Sequence, residues 1–172
     1  MKHILEFKIG LLLSLLTLIF GFGLGIAFGI SEDSMKKSLK IKADEVFVEA
    51  YSGDVVKQKK ILDKSWAYHK RAHLHANGLG TTSLALIFLL AVCTKVNFRW
   101  RWITSIALGI GSLGYSVFWL LAGSIAPSMG STGAAKHSLD WLAMPTSGLC
   151  VLGLLSVFVI LLITPKSSDS KT

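Results

Sequence analysis

IGLLLSLLTLIFGFGLGIAFGI, residues 9–30, runs between Lys8 and Glu32 without a charged side chain. A helix rises about 1.5 Å per residue, so about 20 apolar residues cross a hydrocarbon core about 30 Å thick. Three further stretches have the same character: 72–94 between Arg71 and Lys95, 102–125 ahead of Pro127, and 141–164 ahead of Pro165. Each can satisfy its own backbone hydrogen bonds, as lipid requires. The expected fold class is therefore all-α, an integral membrane four-helix bundle forming one membrane domain over 1–172.

Composition agrees. Of 172 residues, 52% are hydrophobic and 16% charged, and the mean hydropathy of +0.58 exceeds what one soluble core requires. Cys93 and Cys150 fall in different apolar stretches, a pattern that suggests neither a disulfide framework nor a zinc motif. The formal charge of +8 lies mostly in the segments flanking the apolar stretches, which points to membrane surface rather than nucleic acid. The start of the chain, Met1-Lys2-His3, raises a cleavable signal peptide. The long apolar run and the acidic Glu32-Asp33 after it favour an uncleaved anchor.

Residues 31–71 are polar and rich in Lys, Asp and Glu, with few turn formers. Ser31 followed by Glu32 and Asp33 reads as a helix cap, with the acidic residues suiting the helix dipole. Val46, Phe47, Ala50 and Tyr51 form an apolar stripe, and Ser52-Gly53-Asp54 is the best break. The expectation is a helical hairpin whose second arm starts near Asp54 and enters the second span unbroken, projecting beyond the membrane. Lys95, Arg99 and Arg101 in one short loop, with Lys2, Lys8, Lys166 and Lys171, favour cytoplasmic termini in a cell membrane. The ten Lys and Arg of 31–71, accompanied by seven acidic residues, oppose that orientation.

Gly21, Gly25 and Gly29 recur every fourth residue and place a close-contact face on the first span. It serves packing within the bundle or, on the other reading, a protein partner or homo-oligomer. Ala107, Gly111 and Gly114 form a similar face in the third span, and Gly148 and Gly153 lighten the fourth. Trp66, Trp100, Trp102, Trp119 and Trp141 stand near the expected helix ends, as in an interfacial aromatic belt.

Chemistry concentrates in WAYHKRAHLHANGLG, residues 66–80. On a helix His69, His73 and Asn77 share a face that Gly80 continues. His75 is rotated about 200° from His73, so one helix cannot aim both at a single centre. Imidazoles at membrane depth must be neutral, paired or ligated. His137, with Asp140 one turn later and Met144 beyond, precedes the fourth span at the depth of His69 to His75 in either orientation. Two readings stay open. One is a haem ligated by His73, His75 or His137, or a metal site drawing on His69, His73, His137 and Asp140 with Asn77 and Gly80 in support. The other is structural hydrogen bonding. Residues 130–136 lack the spacing of a phosphate loop and read as a turn and cap. No nucleophile with an oriented base is visible, so no catalytic residue is assigned.

His73-x-His75-x-Asn77-x-x-Gly80 resembles the His-x-His-x-Asn-x-x-Gly helix of membrane proteins related to the haem-copper oxidase catalytic subunit and of nitric-oxide-response membrane proteins. The resemblance covers eight residues and implies that His73 or His75 binds haem b or a transition metal. This chain lacks the copper-site cluster of those relatives, so oxygen reduction is not implied. The function expected is electron transfer, sensing or assembly; the alternative is a cofactor-free accessory or scaffold subunit. A transporter finds no mid-bilayer charge to support it, Pro145 lying near one helix end.

Overall fold

The computed structural model describes residues 2–164, and within them the chain is all-helical. Lys166 and Lys171, used above for orientation, lie outside the described residues. The elements are α1 (Lys2–Leu5), α2 (Lys8–Asp44), α3 (Phe47–Tyr51), α4 (Val55–Val92), α5 (Phe98–Met129), α6 (Thr132–His137) and α7 (Asp140–Ile163). Among the described residues α2, α4, α5 and α7 are the helices long and apolar enough to cross a membrane.

The first helix does not end at Ile30. α2 continues to Asp44 through a kink at Ser31 (φ −130°, ψ 17°), which corrects the expected cap at that serine. α2 and α4 then run antiparallel for most of their length, bringing Leu18 to Gly80, Gly25 to His73, Phe28 to Trp66 and Asp44 to Gln58. The reversal falls at Ser52 and Gly53, both left-handed (φ 55° and 73°), a conformation that glycine adopts without steric cost. Asp54 caps α4 by accepting from the amides of Val56 and Lys57 at 2.8 and 2.9 Å.

α3 ties this end to α5. The Tyr51 hydroxyl, fully buried, donates to the Pro127 carbonyl at 2.6 Å, while Gly130 closes α5 in a left-handed turn against the Ala50 carbonyl. Tyr51→Phe should cost about 1 kcal/mol in a denaturant or thermal titration, the usual net value of one hydrogen bond. Burial also raises the phenol above its ordinary 10.0, so its neutral-state stabilisation is complete below that pH and declines as pH rises through 10 toward the higher folded value. An alkaline melt should lose that difference between wild type and variant.

α5 is the hub. Half of its apolar window is buried, against 17–33% in the other three long helices. Small residues on its successive faces explain this, because each lets a different helix backbone approach. Gly109 meets Leu13 and the Gly10 carbonyl of α2, Gly123 meets Ser65 and His69 of α4, and Gly111 meets Thr146 and Cys150 of α7. α2, α4 and α5 pack mutually, whereas α7 lies mainly on α5 and scarcely touches α4. The four long helices thus form a mutually packed core of α2, α4 and α5 with α7 laid against α5.

Two apolar clusters occupy the two ends. Phe7, Ile87, Leu90, Leu108, Val157 and Ile160 pack near the α4–α5 loop, and Tyr68, Phe118 and Ala122 pack near α6. Arg101 belongs to the first end but not to a charged loop surface, which corrects its use as an exposed topology signal. It is 4% exposed and donates from Nε to the Val96 carbonyl and from Nη1 to the Leu90 carbonyl.

Candidate functional site

The histidine-bearing turns of α4 are helical because strong helix formers surround them and no proline intervenes. Their 3.6-residue period then distributes the imidazoles among neighbours. His69, 4% exposed, faces α5, with Nδ1 3.0 Å from its own-helix Ser65 carbonyl and Nε2 3.3 Å from the Ser124 hydroxyl. Its ring lies beside the Cα of Gly123, where a Cβ would come within 2.6 Å of Nδ1. His73 faces α2 instead, with Nδ1 2.8 Å from the Gly21 carbonyl and its ring across Gly25 and edge-on to Phe28. His75 turns toward α5, with Nδ1 2.8 Å from the Arg71 carbonyl and its ring 5.3 Å from Tyr115 and 5.9 Å from Trp119.

A carbonyl only accepts, so each of these three rings carries its proton on Nδ1 and, when neutral, presents Nε2 as a lone pair. That is the arrangement in which a ligating histidine is held by a backbone carbonyl. His69 has its Nε2 beside a serine hydroxyl, whereas Nε2 of His73 and His75 makes no hydrogen bond among the described residues. Asn77 donates Nδ2 to the His73 carbonyl at 3.0 Å, and its buried Oδ1, without a hydrogen bond, points at Gly21. Gly80 receives Leu18 of α2.

His137, at the end of α6, pairs through Nδ1 with Asp140 in the first turn of α7 and is 88% exposed in its side chain. Ser131 caps α6 by accepting from the Ala134 amide, consistent with the expected turn and cap. The pair borders an open trough of about 550 Å3, whose other walls include Tyr115, Trp119, Lys136 and Met144. His75, which does not itself line the trough, packs on Tyr115 and Trp119, the two rings that line it with His137. Trp119 also receives the Arg71 guanidinium at 4.9 Å and keeps a buried indole N–H without a partner.

The sequence-derived residues are therefore not gathered at one point. His69 serves α4–α5, His73 with Asn77 serves α4–α2, and His75 shares an aromatic wall with His137 and Asp140. Among the described residues no group of three or more His, Cys, Asp or Glu side chains is placed to hold a metal ion. A site combining His69, His73, His137 and Asp140 does not fit this arrangement. Haem needs an axial nitrogen and flat apolar walls, and the residues lining the trough include one imidazole, His137, and the rings of Tyr115 and Trp119. The sequence reading overlooked Tyr115, Gly123 and Ser124; the run of small residues Ala122-Gly123-Ser124 was the visible signal.

Of the glycine stripe, Gly21 is covered by Ala76 and Asn77 and Gly25 by His73, while Gly29 faces open space. Two of the three are thus occupied within the chain. No family model matches the sequence, and neither curated proteins nor solved structures yield a match.

Proposed function

We propose that this is a multi-pass membrane protein that binds haem b where α4, α5 and α6–α7 meet, serving electron transfer, sensing or assembly. The observation that carries this reading is the common aromatic pair, Tyr115 and Trp119, bordered by two imidazoles with Nδ1 already engaged: His75 on a carbonyl and His137 on a carboxylate. His75 or His137 would supply the axial nitrogen, and Asp140 would keep the His137 ring oriented and electron-rich. Tyr115 and Trp119 would provide flat apolar contact, and Lys136, which lines the trough, a cation for an acidic edge of the ligand. When bound, haem would supply one-electron redox chemistry or binding of a small gas. In this reading the α2–α4 hairpin extends beyond the bilayer, and the termini are cytoplasmic.

Purified from haem-replete cells, the protein should show a b-type reduced-minus-oxidised spectrum. His75→Ala or His137→Ala should abolish it or shift its bands, and His73→Ala should alter α2–α4 packing while leaving the bands in place. Colourless, metal-free wild-type protein would end the reading. A spectrum lost only in His73→Ala would move the ligand to the α2–α4 interface.

A second reading, a cofactor-free accessory subunit, is supported by the structural employment of His69 and His73 between helices and by the long charged arm. Cross-linking in native membranes separates the two, because this reading requires a reproducible partner.

A further inference from the structure

Just past the first apolar stretch, α2 and α4 part around a cavity of about 450 Å3 that the haem reading leaves unused. Phe28, near the end of that stretch, meets Trp66 edge to face at 5.1 Å, and Trp66 forms one wall of the cavity. Lys36, six residues beyond Ile30 and so about 9 Å further along the axis, lines it with Lys40 from the next turn and Lys70 from α4. Leu62 completes an apolar side next to Trp66, and Asp63 is the acidic group among the lining residues.

Three lysine side chains thus line one cavity together with an apolar wall, just beyond the first apolar stretch, where lipid headgroups would lie in the membrane reading. Lys36 bonds Glu32 and Lys40 bonds Asp44, but both are exposed pairs of neighbours on one helix turn, weak enough to exchange for a phosphate. Lys70 makes no ion pair among the described residues. Trp66 already holds the Lys36 ammonium 5.1 Å above its ring, as an amphipathic interfacial residue does.

We propose that this cavity binds the phosphate of an anionic phospholipid from the adjoining leaflet, an inference that rests on the membrane reading above. Lys36, Lys40 and Lys70 donate to the phosphate oxygens, Trp66 lies against the boundary between headgroup and acyl chain, Leu62 packs beside the headgroup, and Asp63 accepts from a headgroup hydroxyl such as that of phosphatidylglycerol. A free phosphate shares the charge but brings nothing for Trp66.

The full chain in mild detergent should be titrated separately with short-chain phosphatidylglycerol, phosphatidylcholine of equal chain length, and inorganic phosphate. Retained ligand is read by native mass spectrometry, together with the melting midpoint. Phosphatidylglycerol should be retained in preference to phosphatidylcholine. Lys40→Gln/Lys70→Gln should lower that retention by about tenfold or more, given the usual contribution of two lysines. Lys59→Gln/Lys60→Gln removes the same charge from exposed positions outside the cavity and should retain it; circular dichroism confirms that both variants fold. Equal retention of the two lipids, or undiminished retention by Lys40→Gln/Lys70→Gln, overturns the site. An equal midpoint shift from inorganic phosphate overturns the lipid as its source. Release of the chain from washed membranes at alkaline pH would refute the membrane reading by itself, since the detergent titration does not depend on it.

Discussion

Arg101→Ala should destabilise the folded chain by about 3–5 kcal/mol, because it removes two buried hydrogen bonds from a charged donor, each worth about 1.5–3 kcal/mol. The guanidinium is nearly excluded from solvent and donates at 3.1 Å to Val96 and 2.9 Å to Leu90, the latter in the last turn of α4. Carbonyls in that turn have no amide ahead of them, and the helix dipole concentrates negative potential there. One side chain therefore closes α4, fixes the short α4–α5 loop and seats itself against Phe7 and Phe98 at 5.5 and 6.0 Å. Lysine keeps the charge but lacks the planar fork, so Arg101→Lys should recover less than half of the loss. The measurement is a reversible unfolding titration in mixed micelles. A loss under about 1 kcal/mol for Arg101→Ala would show that water replaces the guanidinium and that the loop is not held by it.

The second large effect is expected at Gly111. A Cβ there would lie 2.8 Å from the Cys150 amide nitrogen and 2.9 Å from the Thr146 carbonyl oxygen, both of them backbone atoms that cannot rotate aside. Gly111→Leu should force α7 away from α5, and α7 has little other support because it scarcely touches α4. Overpacking costs typically about 1–3 kcal/mol where side chains can yield, and the upper end or beyond applies where backbone must move. Gly148→Leu is the matched control, since nothing stands within 4 Å of its added carbon. Protease sensitivity around α6 and the unfolding midpoint should change strongly for Gly111→Leu and little for Gly148→Leu. Equal behaviour of the two would mean that α7 is not docked through this crossing.

The two positions show how legibility in the sequence varies. Four long uncharged stretches were plain, because period and length alone decide whether a segment is helical and apolar enough to span lipid. Ser52-Gly53-Asp54 was equally plain as a reversal, since left-handed backbone and an aspartate cap leave local marks. Ser31 was misread as a cap: Ser-Glu-Asp looks like a helix start, yet the surrounding residues continue the helix and α4 packs along both sides of the kink. Arg101 was misread as a surface charge, because a loop arginine and a buried arginine that caps a neighbouring helix share the same local sequence.

The histidines mark the boundary most sharply. That His69 and His73 lie about 40° apart around α4, with His75 about 200° from His73, follows from helical period; that this small angle suffices to send His69 to α5 and His73 to α2 does not. Which helix each face meets depends on where glycines of distant segments allow a backbone to approach. Gly123 receives His69, Gly25 receives His73, and the trough unites His137 with the wall on which His75 rests. Sequence by itself determined four apolar helices, their turns and the faces they carry, since these are local properties of the chain. Tertiary structure alone decided that α5 is the hub, that Arg101 is buried and that the histidines serve different neighbours. Those outcomes are set by close contacts between residues dozens of positions apart, and no local pattern encodes them.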